Sequence, residues 1–150
     1  MRERPPLPGI VLFGVLSASS GCRAARQQAR LDAMPAAIAA AVGDDDDGFV
    51  VVGPLDERAV TDGLWSDTLD LRACHQQALR GDRTVSGLVV VYFVIDLDGA
   101  VSWIELPHST LGSPAMEACI TDAIGRLRFP APVGAPVGVS TRFLFSDGSP

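Results

Sequence analysis

The chain has 150 residues, 47% of them hydrophobic and 20% charged, which suits one folded domain with a short extra segment and excludes two separate cores. Its net charge is -6, and all 12 basic residues are arginines scattered without a dense cluster, so no nucleic-acid partner is expected. The arginine-only basic set, with much Ala, Val, Gly and Pro, reads as coding bias of a GC-rich genome and carries no mechanistic message.

Residues 1–21 have a secretory layout: basic Arg2 and Arg4, an apolar stretch from Leu7 to Leu16, then Ser17-Ala18-Ser19-Ser20-Gly21 before Cys22. The apolar run is shorter than the ~20 residues a bilayer span needs, so cleavage is expected in place of a permanent helix. Small residues directly before a cysteine resemble the lipobox of bacterial lipoprotein signals, which implies acylation of Cys22 and cleavage on its N-terminal side. The alternative is an ordinary signal peptide cut after Ala18 or Ser20, leaving Cys22 as a spare thiol. Three cysteines in an exported chain leave one over, and acylation of Cys22 would consume it. Cys74 and Cys119 then remain, each inside an expected helix. In an oxidising compartment they would join if those helices are adjacent, and would otherwise be two buried free thiols.

Residues 23–42 are Ala-rich, broken by Pro35, and read as a partly helical tether. Asp44 to Asp47 before Gly48 invites a calcium-loop reading, but with Gly48 as the sixth position Gly43 falls first and Pro54 stands where the closing glutamate belongs, so both ends of the ligand set are missing. A solvated linker is expected there, and no metal. Phe49 to Val52 is a short apolar run ending at Gly53-Pro54, either a strand or an arm laid on the domain.

From Thr61 the pattern turns helical, with Leu64, Leu71, Cys74, Ala78 and Leu79 largely on one face before Gly81. Ser86 to Asp96 is the strongest strand signal, and Asp98-Gly99 turns it into Val101 to Leu106 as an antiparallel hairpin. A second helix starts near Ser113-Pro114, with serine as cap, and runs to about Leu127. Phe129 to Pro136 crosses as an extended proline-rich loop, and Val139 to Phe145 forms the last strand, whose edge invites strand addition.

In this order the chain resembles a TonB C-terminal-like domain, and more narrowly the AgmX/PglI C-terminal subfamily. The matching positions are Cys74, Ala78-Leu79, Gly87, Phe93, Asp98-Gly99, Val101, Ser109-Thr110-Leu111, Cys119, Phe129-Pro130 and Phe143, spanning roughly residues 68 to 146. The resemblance implies an α+β two-layer fold, two helices on one face of a three-stranded antiparallel sheet, with Cys74 bridged to Cys119. It also implies periplasmic protein contacts through an edge strand. TonB itself has a transmembrane helix and a long spanner, whereas about 26 tether residues reach at most roughly 90 Å here.

Alternation puts Val89, Val91, Phe93 and Ile95 on one sheet face and Leu88, Val90, Tyr92 and Val94 on the other. The second row needs a cover: the tether, the Phe49 arm, or another protein. Leu88, Val90, Tyr92, Val94 and Trp103 are therefore the candidate interface, and a homodimer is one possible occupant. Catalysis is not expected: His75 and His108 are the only bases near neutral pH, Cys74 is better explained as half of a bridge, and phosphate, zinc and dinucleotide patterns are missing. No cofactor is expected.

The sequence thus divides into a signal peptide (1–21), a lipid-anchored tether and arm (22–60) and a TonB C-terminal-like domain (61–150). The expected role is a non-catalytic outer-membrane lipoprotein, facing the periplasm, that binds an envelope protein or peptide. A structural lipoprotein without a dedicated ligand, or a part of a gliding-motility complex, is the alternative.

Overall fold

The computed structural model describes residues 19–42, 49–66 and 68–147. The leader up to Ala18 and the Asp44–Asp47 run lie outside the described residues. The elements are helix α1 (Ser19–Ala41), strand β1 (Val50–Val52), helices α2 (Glu57–Ser66) and α3 (Thr68–Gly81), the hairpin β2 (Gly87–Ile95) and β3 (Val101–Ser109), helix α4 (Pro114–Gly125) and strand β4 (Val137–Phe145).

The fold is α+β, and its sheet has four antiparallel strands in the order β1-β4-β2-β3. Three of them are the strands expected from sequence; the fourth is the Phe49 arm, whose Val50, Val51 and Val52 pair with Ser140, Val139 and Gly138. The apolar run therefore extends the sheet sideways instead of covering its face. The single expected helix over 61–81 is two helices, α2 and α3.

Strand β2 forms because β-branched and aromatic residues fit a pleated, packed surface. Val89, Val91, Phe93 and Ile95 are each fully buried, and with Val137 and Val139 they meet Met116, Ile120 and Ile124 of α4 and Leu71 of α3 in one core. Helix α4 starts where expected: Ser113 has extended backbone and its hydroxyl accepts from the Met116 N–H, with Pro114 in the first turn. Cys74 and Cys119 are joined by a disulfide that ties α3 to α4.

The Ser109-Thr110-Leu111 segment locks the hairpin exit onto both layers. The Ser109 hydroxyl donates to the Glu117 carboxylate on α4 at 2.6 Å. The Thr110 hydroxyl accepts from the Leu88 N–H at 2.9 Å, while the Thr110 N–H donates to the Leu88 carbonyl at 2.9 Å. These bonds satisfy groups that would otherwise be stranded where the strand ends.

Helix α1 differs most from expectation. It runs unbroken through Pro35 and packs on β1, β2 and β4, on the sheet face opposite α3 and α4. Ile38 is fully buried there, over Gly138, where a Cβ would sit 2.6 Å from its Cγ1 and 2.9 Å from the Met34 Cγ. Proline removes one helical hydrogen bond, and the contacts on both sides of it hold the helix together. No helix among the described residues is long and apolar enough to cross a membrane.

Candidate functional site

The two ends of β4 have different neighbours. Its first half is flanked by β2 on one side and by β1 on the other, but β1 stops opposite Ser140. Past Ser140 no described strand lies along the outer side of β4, while β2 continues on the inner side as far as Phe145. In an antiparallel ladder alternate residues direct both N–H and C=O to the same side, so this stretch presents main-chain groups outwards. The sequence expectation of an edge at Val139 to Phe145 is met for the second half of the strand and corrected for the first, which the arm occupies.

A groove of about 630 Å³ lies along that open edge. One wall is β4 from Thr141 to Phe145. The other is made by Leu64 and Trp65 of α2 with Leu71, Arg72 and His75 of α3, and Phe49 also lines it. The lining is mostly apolar, and its charged members are Arg72 and Arg142. Trp65 remains largely exposed, 69%, on the helical wall, and Leu144, 79% exposed, lies on the α1 face of the edge strand opposite Leu88.

The wall is fixed from behind. The His75 ring Nε2 is 2.9 Å from the Val85 carbonyl, linking α3 to the approach of β2. The ring lies 5.2 Å from that of Phe145, tilted by 54°. Cys74, the preceding residue, is held in the disulfide and is not an available thiol. His108 lies exposed on β3, across from Val90.

The opposite edge of the sheet is built differently. Strand β3 carries Pro107 and pairs with β2 through two register irregularities, both features that discourage strand addition. Past Ser140, β4 carries neither feature.

The five residues singled out from sequence fall on the α1 side of the sheet, with Trp103 paired to Val94. Val94 is 1% exposed, whereas Leu88, Val90, Tyr92 and Trp103 are half-buried. Part of this face is thus covered by the segment read as a tether. Sequence reasoning missed Trp65, Leu64, Arg72 and Phe143-Leu144-Phe145 as groove residues. The available signal was the loss of alternation at the end of β4, where three successive large apolar residues cannot all face one core.

No protein-family model matches the chain, and no curated protein matches it. Among solved structures the chain is similar to the solution NMR structure of the Pseudomonas aeruginosa TonB C-terminal domain, at 18% identity over 71% of this chain and 94% of that one, with a TM-score of 0.41.

Proposed function

We propose that this protein is a lipid-anchored, non-catalytic adaptor of the bacterial envelope, held through Cys22 at the outer membrane, that binds an extended segment of another envelope protein by strand addition to β4. The observation that carries the binding half is the groove itself: an open strand edge, β4 from Thr141 to Phe145, facing a helical wall that carries exposed Trp65. Strand addition supplies main-chain hydrogen bonds, and the apolar wall supplies side-chain pockets. Arg72 on the helical wall, in a chain of net charge -6, favours a guest carrying a carboxylate beside its apolar side chains. The anchoring half rests on the small residues before Cys22 and on the even pair that remains once Cys22 is acylated.

Site-specific photocrosslinking in intact cells tests the binding half. A photoreactive residue at position 65 should give one discrete crosslinked protein, and one at exposed Val133, in the crossing loop, should not. Equal patterns from both positions would sink the proposal. Intact mass of the mature protein from membranes tests the anchor: a diacylated or triacylated N-terminal Cys22 is expected, and an unmodified cysteine refutes it.

A further inference from the structure

Three contacts fix the direction of α1 against the sheet. The Arg30 Nη1 donates to the Gly134 carbonyl at 2.8 Å, in the loop that enters β4. One turn later Met34, and two turns later Ile38, sit against Gly138 near the start of that strand. Moving from residue 30 to residue 38 along the helix thus moves from residue 134 to residue 138 along the chain of β4. Helix and strand advance in the same sense across the sheet.

The groove occupies the other end of β4, from Thr141 to Ser146. The N-terminal end of α1 therefore points away from it. Ala25, Arg26, Gln28, Ala29 and Arg30 are exposed, so the helix has left the sheet by this point. Cys22 lies eight residues before Arg30 in the same helix, about 12 Å at the α-helical rise. Pro35, the proline inside α1, lies between Arg30 and Ile38 and is spanned by contacts on both sides.

We infer that α1 is a rigid standoff that holds the groove at the end of the domain remote from the lipid anchor, so that the guest segment is met from the aqueous side and not at the surface of the anchoring membrane. This inference rests on the acylation of Cys22 proposed above. Helical rise up to Ile38 and strand rise from Gly138 to Phe143 place the groove at most roughly 40 Å from Cys22. A flexible leash of residues 22–38 would allow the domain any orientation and could extend to roughly 55 Å where the helix spans about 24 Å. The guest is accordingly a segment that projects into the periplasm within this height, carried by a partner that need not touch the anchoring leaflet.

The test uses the mature acylated chain reconstituted in vesicles whose lipids carry a headgroup nitroxide. A fluorophore is attached at Ala29→Cys or at Leu144→Cys, both exposed positions; the disulfide and the acylated Cys22 leave the introduced thiol as the reactive one. Quenching is expected to be several-fold stronger at position 29 than at 144. Equal quenching in a chain whose mass shows acylation overturns the standoff alone. A mass without the acyl group overturns the anchoring reading, and the standoff's membrane role falls with it. Spin labels on the doubly substituted chain should give one narrow distance distribution centred below about 35 Å; a broad distribution extending well past it also overturns the rigid arrangement.

Discussion

The Phe129 N–H donates to the Gly99 carbonyl at 2.9 Å, tying the proline-rich crossing to the hairpin turn on the far side of the chain. Gly99 has a φ of +81°, and a Cβ there would overlap the Phe129 carbonyl oxygen. The Phe129 ring in turn stacks on Phe93 with centroids 5.8 Å apart and lies where a Cβ on Gly63 of α2 would fall. One residue therefore links the turn through its backbone and the core strand and the first helix of the groove wall through its ring.

Gly99→Ala should consequently cost more than its backbone conformation alone. The left-handed backbone costs a non-glycine residue about 1–2 kcal/mol, and the overlap adds to it. Gly112→Ala is the comparison, because Gly112 has a φ of +62° with open space around it. Urea denaturation should show both variants destabilised and Gly99→Ala the more so. Equal losses would show that the close approach to Phe129 contributes nothing.

The disulfide should be a large part of the stability. It closes a loop with a sequence separation of 45, which in the chain-entropy account stabilises by roughly 3 to 4 kcal/mol. A Cys74→Ser, Cys119→Ser double variant should lose about that much, and dithiothreitol should do the same to the parent while leaving the double variant unchanged. A reductant effect on the double variant would place the sensitivity elsewhere.

Much of this fold was legible in the sequence, for identifiable reasons. The hairpin was readable because Ser86 to Asp96 is rich in β-branched and aromatic residues and ends at Asp98-Gly99, and α4 because Ser113-Pro114 both caps and starts it. The docking of α1 was not readable. Its contact with the sheet depends on Gly138, a residue 100 positions from Ile38 whose lack of a side chain is the relevant feature, and its apolar stripe is narrow. The groove was hidden for a similar reason: Trp65, Arg72 and Phe145 come together only through the break between α2 and α3 and the early end of β1.

Gly138→Val tests the packing of α1 directly. The added side chain collides with Ile38 and Met34, and overpacking of this kind costs about 1–3 kcal/mol. Limited trypsin digestion should cut at Arg30 faster in the variant, because the helix is pushed off its seat. Ile38→Ala removes a fully buried side chain and should destabilise by about 2–5 kcal/mol. If α1 were a passive tether, neither change would alter stability or cleavage.

Asp82 gives a pH dependence with a defined sign. Its carboxylate accepts from the Thr84 hydroxyl at 2.6 Å and the Thr84 N–H at 2.9 Å, and these bonds hold its pKa below the usual aspartate value. A folded-state pKa below the unfolded one gives stability that is present above the unfolded value and lost as pH falls through the folded one. Asp82→Asn should therefore be less stable than the parent at neutral pH, and the difference should shrink once the pH drops below the ordinary aspartate range. A difference that stays constant as the pH falls well below that range would assign the effect to something other than ionisation.

The groove makes the most direct functional prediction, because the binding residues can be separated from the folding ones. Leu144 is 79% exposed, and an exposed position away from special backbone features changes stability by less than about 0.5 kcal/mol. Leu144→Lys should therefore fold as the parent does. If the open edge takes a guest strand, a lysine there places a strongly hydrated charge on the edge, a feature that discourages pairing. The yield of the crosslinked partner, read from a photoreactive residue at position 65, should fall at least tenfold, as expected for a contact worth more than about 1.4 kcal/mol. Arg72→Glu, on the facing wall, reverses charge without touching the strand, so it should lower the yield if the guest carries a carboxylate and raise it if the guest is basic. An unchanged yield in both variants, with both folded, would move the binding surface off this groove, and the half-buried face of Leu88, Val90, Tyr92 and Trp103 would become the place to look.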